Sequence, residues 1–78
     1  MDITNILMGI FNNLFDLPEL MKESEINIKN IAGWDSLNHL NLIISIEKEF
    51  DINIPPDDFP ELYNDFDSII SYIKRNLT

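Results

Sequence analysis

The sequence predicts an all-α fold, a small four-helix bundle with a short third helix and a long loop between the first two helices. In three stretches the apolar residues recur at intervals of three and four, which is the period of a helix with one buried face. Aspartate, glycine and proline stand where those stretches begin or end. The chain has 78 residues, and we assign residues 1–78 to a single domain because this length supports only one small core.

The first helix is predicted from an apolar stripe that starts at the third residue. Asp2 stands where an N-cap is expected. We expect the helix to end at Leu17-Pro18, since the residue before a proline is disfavoured in the α region. The stripe consists of Ile3, Ile6, Leu7, Ile10, Phe11 and Leu14.

Residues 18–34 are predicted to form a long, partly ordered loop, because polar residues interrupt any apolar period there. Gly33 marks its end. Three isoleucines are expected to anchor the loop on the core: Ile26, Ile28 and Ile31.

The second helix is predicted to start at Asp35 or Ser36, to run to about Phe50, and to be apolar on two sides. The side expected to face the core holds Leu42, Ile43, Ile46 and Phe50. The opposite side holds Leu37, Leu40 and Ile44. An exposed apolar patch is typical of a partner site, whereas a central helix is also contacted from several directions. We expect Leu40 to be packed; for Leu37 and Ile44 both interpretations stay open.

Two shorter helical segments complete the chain. Pro55 and Pro56 stop the second helix, and Asp57 or Asp58 begins a short third helix or turn. That segment includes Phe59, Leu62 and Tyr63. The last helix is predicted from Asp65 or Asp67 to about Asn76, with an inner stripe of Phe66, Ile69, Ile70 and Ile73.

Composition excludes several classes of function. Fourteen acidic and five basic residues give a formal charge of −9, which repels nucleic acid and anionic lipid and favours basic partners. The absence of cysteine excludes disulfides, a thiolate nucleophile and a cysteine zinc site. No apolar run approaches the roughly 20 residues of a membrane span, and the first residues lack the basic segment of a secretory signal. We expect a cytoplasmic, monomeric protein with no metal site.

Ser36 is a candidate modification site because it lies at the start of the most apolar helix. The N-terminus of a helix offers free N–H groups and partial positive charge, which suit a phosphate ester. Asp35 can cap the helix and also help to hold a divalent cation during attachment. The alternative is that Ser36 is itself an ordinary helix cap.

Two aromatic residues beside Ser36 have competing interpretations. Trp34 either stacks over a group attached to Ser36 or plugs the loop against the bundle, and we favour the plug. His39 follows Ser36 by three residues, but no acidic residue to orient it and no oxyanion arrangement is evident. We therefore interpret His39 as a partly covered surface residue, and we predict that the protein is not an enzyme.

The run GWDSLNHLNLIISIEKEFDINIP, residues 33–55, resembles the core of the acyl carrier proteins. The matching features are DSL, then EKEF at the appropriate spacing, then IP, and an ending DFDSIISYIKRNL that is similar to the family's fourth helix. The resemblance implies a bundle of acyl-carrier type whose Ser36 is esterified with 4′-phosphopantetheine. Coenzyme A would be the donor, and a magnesium-dependent phosphopantetheinyl transferase would attach the group. The arm's thiol would then carry an acyl or aminoacyl thioester between loading and transferring enzymes.

The resemblance also implies a partner face on the second helix. Its residues would be Asp35, Leu37, Asn41, Ile44, Glu47 and Lys48. Carriers of fatty-acid synthesis usually have more acidic residues where this chain has Asn38, Asn41 and Lys48, so the sequence looks more like a carrier of a specialised pathway. Whether the core opens for an acyl chain stays undecided. The alternative function is an unmodified helical interaction module that retains the carrier fold.

Overall fold

A computed structural model describes residues 2–15, 17, 21–31 and 33–77, and it confirms the all-α four-helix fold with a short third helix. The helices are α1 (Ile3–Leu14), α2 (Ser36–Phe50), α3 (Phe59–Leu62) and α4 (Phe66–Leu77). Short 3-10 turns occupy Glu23–Glu25 and Pro56–Asp58. Within the described ranges, β structure is limited to one antiparallel bridge between Asn27 and Asp65. No helix in those ranges is long and apolar enough to cross a membrane.

Helix α1 is capped as predicted but ends earlier than predicted. The Asp2 carboxylate accepts a hydrogen bond from the backbone N–H of Asn5 at 3.1 Å. The helix stops at Leu14, so the predicted end at Leu17-Pro18 is wrong. Phe15 already has an extended backbone, and its buried ring lies 5.6 Å from that of Phe11. Pro18 lies outside the described residues.

The described part of the loop after α1 is bound to the start of α4. The N–H of Ile28 donates to the carbonyl of Asn64 at 2.8 Å, and the N–H of Phe66 donates to the carbonyl of Ile26 at 3.0 Å. Ile26 and Ile31 are buried and Ile28 is half-buried, which confirms the predicted anchors. These bonds hold the loop in place on the bundle.

The core lies between α1, α2 and α4, and the inner face of α2 runs through it. Leu42, Ile43 and Ile46 are fully buried, as predicted, and so is Ile69 of α4. At its far end α2 stops at Phe50, and the next residue, Asp51, has a left-handed backbone with φ 53°. The Glu47 carboxylate then accepts a hydrogen bond from the N–H of Ile54 at 3.0 Å. Helix α2 is therefore fixed at the end opposite Ser36.

Helix α4 is joined to the segment around α3 by polar side chains. The Tyr72 hydroxyl donates to the Asp58 carboxylate at 2.7 Å, and partial burial together with that carboxylate raises the pKa of Tyr72 to about 12. Arg75 forms an ion pair with Glu61. The Asp65 carboxylate caps α4 by accepting from the Ser68 N–H at 2.8 Å, and hydrogen bonding by the Ser68 side chain, together with that N–H, lowers the pKa of Asp65.

Candidate functional site

The turn before α2 depends on Gly33. Its φ is +84°, a backbone conformation that side chains with a Cβ rarely adopt. The Gly33 carbonyl accepts from the N–H of Asp35 at 2.9 Å and from the side-chain amide of Asn38 at 2.6 Å. A tight turn thus leads the chain directly into the helix.

Asp35, and not Ser36, caps helix α2. The Oδ1 atom of Asp35 accepts a hydrogen bond from the N–H of Asn38 at 2.9 Å. Ser36 is the first helical residue and is exposed, and no described residue hydrogen-bonds its hydroxyl. The cap expected of a serine at this place is supplied by its neighbour, so the Ser36 hydroxyl is not needed to hold the helix.

Electrostatics at this helix start favour an anion. No described residue accepts a hydrogen bond from the backbone N–H of Ser36 or Leu37. Unpaired N–H groups at a helix N-terminus carry partial positive charge and bind phosphate oxygens. A phosphate ester on Ser36 would lie next to these two donors.

Trp34 packs the loop against the bundle, which agrees with the favoured interpretation. Its side chain is 4% exposed. The indole lies edge-on to Phe11 at 5.4 Å and edge-on to Tyr63 at 5.6 Å between ring centroids, and 5.9 Å from Phe15. A ring buried in this way is not available to stack over a group attached to Ser36.

His39 is buried, so its interpretation as a partly covered surface residue is wrong. Only 7% of the residue is exposed. Since the indole of Trp34 can only donate, Nδ1 of His39 accepts its N–H at 3.0 Å. Nε2 then carries the proton and donates to the carbonyl of Phe59 at 2.8 Å. His39 is a neutral connector between the loop, α2 and α3.

The sequence contains a signal for this burial. His39 precedes Leu42, Ile43 and Ile46 by three, four and seven residues, which places it on the inner stripe of the helix. Its polar side chain obscured the pattern. Tyr63 was predicted as part of the short third segment, but its hydroxyl donates to the carbonyl of Trp34 at 2.6 Å, a pairing 29 positions apart that no local pattern predicts.

We expect mild acid to destabilise the protein through His39. Burial lowers the pKa of His39 from its ordinary value of 6.5, so the unfolded chain takes up a proton at a pH where the folded chain does not. The free energy of unfolding therefore falls as the pH drops below about 6.5, until the folded-state pKa is passed. The contacts of His39 predict the same loss of stability in acid, because a protonated Nδ1 would place its N–H against the indole N–H of Trp34.

Urea unfolding curves between about pH 7.5 and pH 5.5 measure this effect in the range where histidine titrates. The matched control is His39→Gln, which removes the only histidine of the chain. We expect the variant to be less stable and its stability to be nearly independent of pH over this range. An equal pH dependence in both proteins would contradict the role of His39.

The outer side of α2 exposes three apolar side chains, which we call the apolar stripe. Leu37 is 70% exposed, Leu40 43% and Ile44 51%. The predicted packing of Leu40 is therefore wrong, because the ring of the preceding residue, His39, takes the contact with the carbonyl of Phe59 in α3. Ser36, Leu40 and Ile44 are spaced four residues apart, and Leu37 precedes Leu40 by three, so the stripe and Ser36 lie on the same side of the helix.

The remaining residues of the predicted partner face differ in accessibility. Asn41 and Lys48 are exposed. Glu47 is half-buried, and its Oε2 atom accepts from the backbone of Ile54. Five of the six predicted positions are thus exposed, and the sixth, Glu47, also holds the end of the helix. Among the described residues, no three His, Asp or Glu side chains are grouped in a way that suits a metal ion.

Comparison with known proteins identifies the family to which this arrangement belongs. Proteins named acyl carrier protein from two strains of Porphyromonas gingivalis are each 40% identical to the chain over 53 residues, which are 68% of the chain and 67% of the relative. An acyl carrier protein of Amoebophilus asiaticus is 38% identical over 53 residues, or 68% of the chain and 65% of the relative. No family model and no solved structure matches. The chain belongs to the acyl carrier protein family, whose members are carriers and not catalysts.

Proposed function

We propose that the protein carries 4′-phosphopantetheine on Ser36 and transports acyl or aminoacyl groups as thioesters of that arm. The observation that supports this most directly is the exposed Ser36 hydroxyl at the start of α2, beside a neighbour that already caps the helix. The chain has no cysteine, so the working thiol is supplied by the arm. The family relationship supports the same function.

The attachment step is a phosphoryl transfer from coenzyme A. The Ser36 oxygen attacks the pyrophosphate phosphorus that bears the pantetheine arm. The bond from that phosphorus to the bridging oxygen breaks, adenosine 3′,5′-bisphosphate leaves, and the hydroxyl proton passes to the transferase. The Oδ2 atom of Asp35, which takes no hydrogen bond from a described residue, is free to help hold the magnesium ion of that enzyme.

The partner enzymes are proposed to bind along α2 next to Ser36. They comprise the phosphopantetheinyl transferase and the enzymes that load and transfer acyl or aminoacyl groups. The contact surface is Leu37, Asn41, Ile44 and Lys48 together with Asp35, and Glu47 contributes from its edge. An exposed apolar patch with charged neighbours is typical of such an interface. We further propose a monomeric cytoplasmic carrier that serves a specialised pathway.

Acidic substitutions in the apolar stripe are expected to slow loading without harming the fold. Leu37→Asp and Ile44→Asp each place a charge where a partner's apolar surface would lie, and we expect a loss of about tenfold or more in the loading rate. Both side chains are more than half exposed, so thermal stability should change little.

The matched control for the stripe is Leu77→Asp, since Leu77 is an exposed leucine at the end of α4, 38% accessible. Its loading rate should equal that of the wild type. A similar loss in all three variants would mean that added negative charge, and not the position on α2, slows the transferase.

Intact mass measured after incubation with coenzyme A, magnesium and a broad-specificity phosphopantetheinyl transferase tests the proposed function. We expect one phosphopantetheine per chain, and fragmentation of the modified peptide should locate it on Ser36. No added mass on a folded protein that was unmodified at the start would reject the proposal.

The apolar stripe is also the feature that an unmodified interaction module would need. In that case the stripe would bind a partner with no role for the Ser36 hydroxyl. The loading experiment separates the two functions, because an interaction module gives no added mass.

A further inference from the structure

Three side chains pack together at the end of the bundle where α2 begins. Trp34, His39 and Tyr63, which we call the Trp34 latch, are joined by hydrogen bonds. The indole N–H of Trp34 donates to His39 at 3.0 Å, and the hydroxyl of Tyr63 donates to the carbonyl of Trp34 at 2.6 Å. His39 also donates to the carbonyl of Phe59 at 2.8 Å. The latch thereby connects the segment before Ser36 to α2 and to both ends of α3.

The rings of the latch pack towards α1 on one side and towards α3 on the other. Towards α1, the indole of Trp34 lies against Phe11 and Phe15. Towards α3, the rings of Trp34 and His39 lie against Tyr63, with centroids 5.6 Å and 4.7 Å apart. Trp34 and His39 are almost fully buried. Packed rings thus lie towards both α1 and α3 at the end of the bundle where α2 begins.

An alkyl chain that entered the core beside residues 34–39, next to its attachment point on Ser36, would have to open the latch. Opening it leaves the indole N–H, the imidazole of His39 and the carbonyl of Phe59 without partners in apolar surroundings, which is unfavourable. Behind the latch, Leu42, Ile46 and Ile69 are fully buried in a close-packed interior. The structure therefore opposes the burial of a long chain from this end.

We propose that the cargo of this carrier stays outside the bundle and is a short polar acyl group, aminoacyl groups included. This inference rests on the proposed function of Ser36. Left outside the core, a long alkyl chain would lie against the apolar stripe and cover the surface proposed to bind partner enzymes, whereas a short polar group needs no burial and leaves the stripe free. The thioester is then equally accessible whatever its acyl group.

The test compares acetyl and octanoyl forms of the protein, made with the transferase from acetyl- and octanoyl-coenzyme A. The rate of thioester cleavage by hydroxylamine is measured for each form and for the corresponding free pantetheine thioesters. We expect the ratio of octanoyl to acetyl cleavage rates on the protein to agree within about twofold with the same ratio for the free pantetheine thioesters. The fluorescence of Trp34, the only tryptophan, should be the same in both forms.

A tenfold or greater protection of the octanoyl thioester on the protein, together with a shift of Trp34 emission, would overturn the inference. This result would leave the proposed function intact, because both forms would have been loaded. Failure to load either group on folded protein would instead reject the proposed function itself.

A pair of tyrosine variants tests whether the latch is the barrier. Tyr63→Phe removes the latch bond to the carbonyl of Trp34, and Tyr72→Phe removes a comparable hydroxyl bond, to Asp58, on α4. We expect Tyr63→Phe to slow cleavage of the octanoyl form relative to the acetyl form by about twofold or more, and Tyr72→Phe to leave the ratio unchanged. Equal ratios in the two variants would overturn the assignment of the barrier to the latch.

Discussion

Replacing Ser36 by alanine is expected to abolish covalent loading completely while leaving the fold intact. The alanine removes the oxygen on which we propose that the phosphate ester forms, and it leaves no nucleophile at the first position of α2. The helix keeps its cap, because the N–H of Asn38 donates to the carboxylate of Asp35 and the side chain of Ser36 takes no part in that hydrogen bond. Since Ser36 is exposed, we expect the free energy of unfolding to change by no more than about 0.5 kcal/mol.

The matched control for this variant is Ser71→Ala, because Ser71 is an exposed serine within α4. Intact mass is measured on both variants after the same incubation with coenzyme A and the transferase, and circular dichroism verifies that both are folded. Ser71→Ala should gain one phosphopantetheine, and Ser36→Ala none. A folded Ser36→Ala protein that still gains the mass would place the modification on another residue.

Local capping explains why the helix starts were predictable from the sequence. Asp2, Asp35 and Asp65 were each named as possible starts, and each carboxylate accepts from the backbone N–H three residues later. A cap is recognisable in a sequence because the interaction involves only neighbours. The inner stripes of α2 and α4 were predictable for a similar reason, since the period of a helix determines which residues share a face.

The end of α1 and the hydrogen-bond partners of His39 depend on distant residues and were therefore missed, although the helical period already places His39 on the inner stripe. Phe15 leaves the helix with a buried ring that lies against Phe11 and Trp34, and the position of Trp34 is decided by a loop 19 positions further along. His39 is buried because an indole and a backbone carbonyl satisfy both of its ring nitrogens. Neither partner is identifiable from the period of one helix.

The attachment site at Ser36 stays a prediction from the motif, and the surface around it could be defined only from the structure. The DSL motif and the distance to EKEF indicate the attachment serine through family resemblance, and the structure adds that its hydroxyl is exposed. Leu40 could be assigned to the apolar stripe only from the structure, which shows how α3 packs. The half-buried position of Glu47 likewise follows from its bond to Ile54, in a loop seven positions away. A partner surface consists of residues that stay exposed once the helices have packed, so its extent can be defined only from the tertiary structure.

Replacing Trp34 by alanine is expected to leave most of the protein unfolded at 25 °C. Truncation of a buried tryptophan to alanine costs about 3–5 kcal/mol. The loss also leaves Nδ1 of His39 without its donor and removes the aromatic contacts to Phe11 and Tyr63. A single core in a domain of this size rarely supplies more than about 3–5 kcal/mol, so the expected loss is comparable to the whole stability.

Far-UV circular dichroism and thermal melts measure this effect, with Trp34→Phe as the matched variant. Phenylalanine retains a ring between α1 and α3 but lacks the N–H. The free energy of unfolding should therefore fall by about 1–3 kcal/mol, which is the cost of leaving Nδ1 of His39 unpaired. We expect Trp34→Phe to remain folded with a lower melting temperature and Trp34→Ala to lack a cooperative transition. A cooperative melt of Trp34→Ala close to that of the wild type would show that other contacts hold the Gly33 turn. In that case the indole would not be what places Ser36 at the end of the bundle.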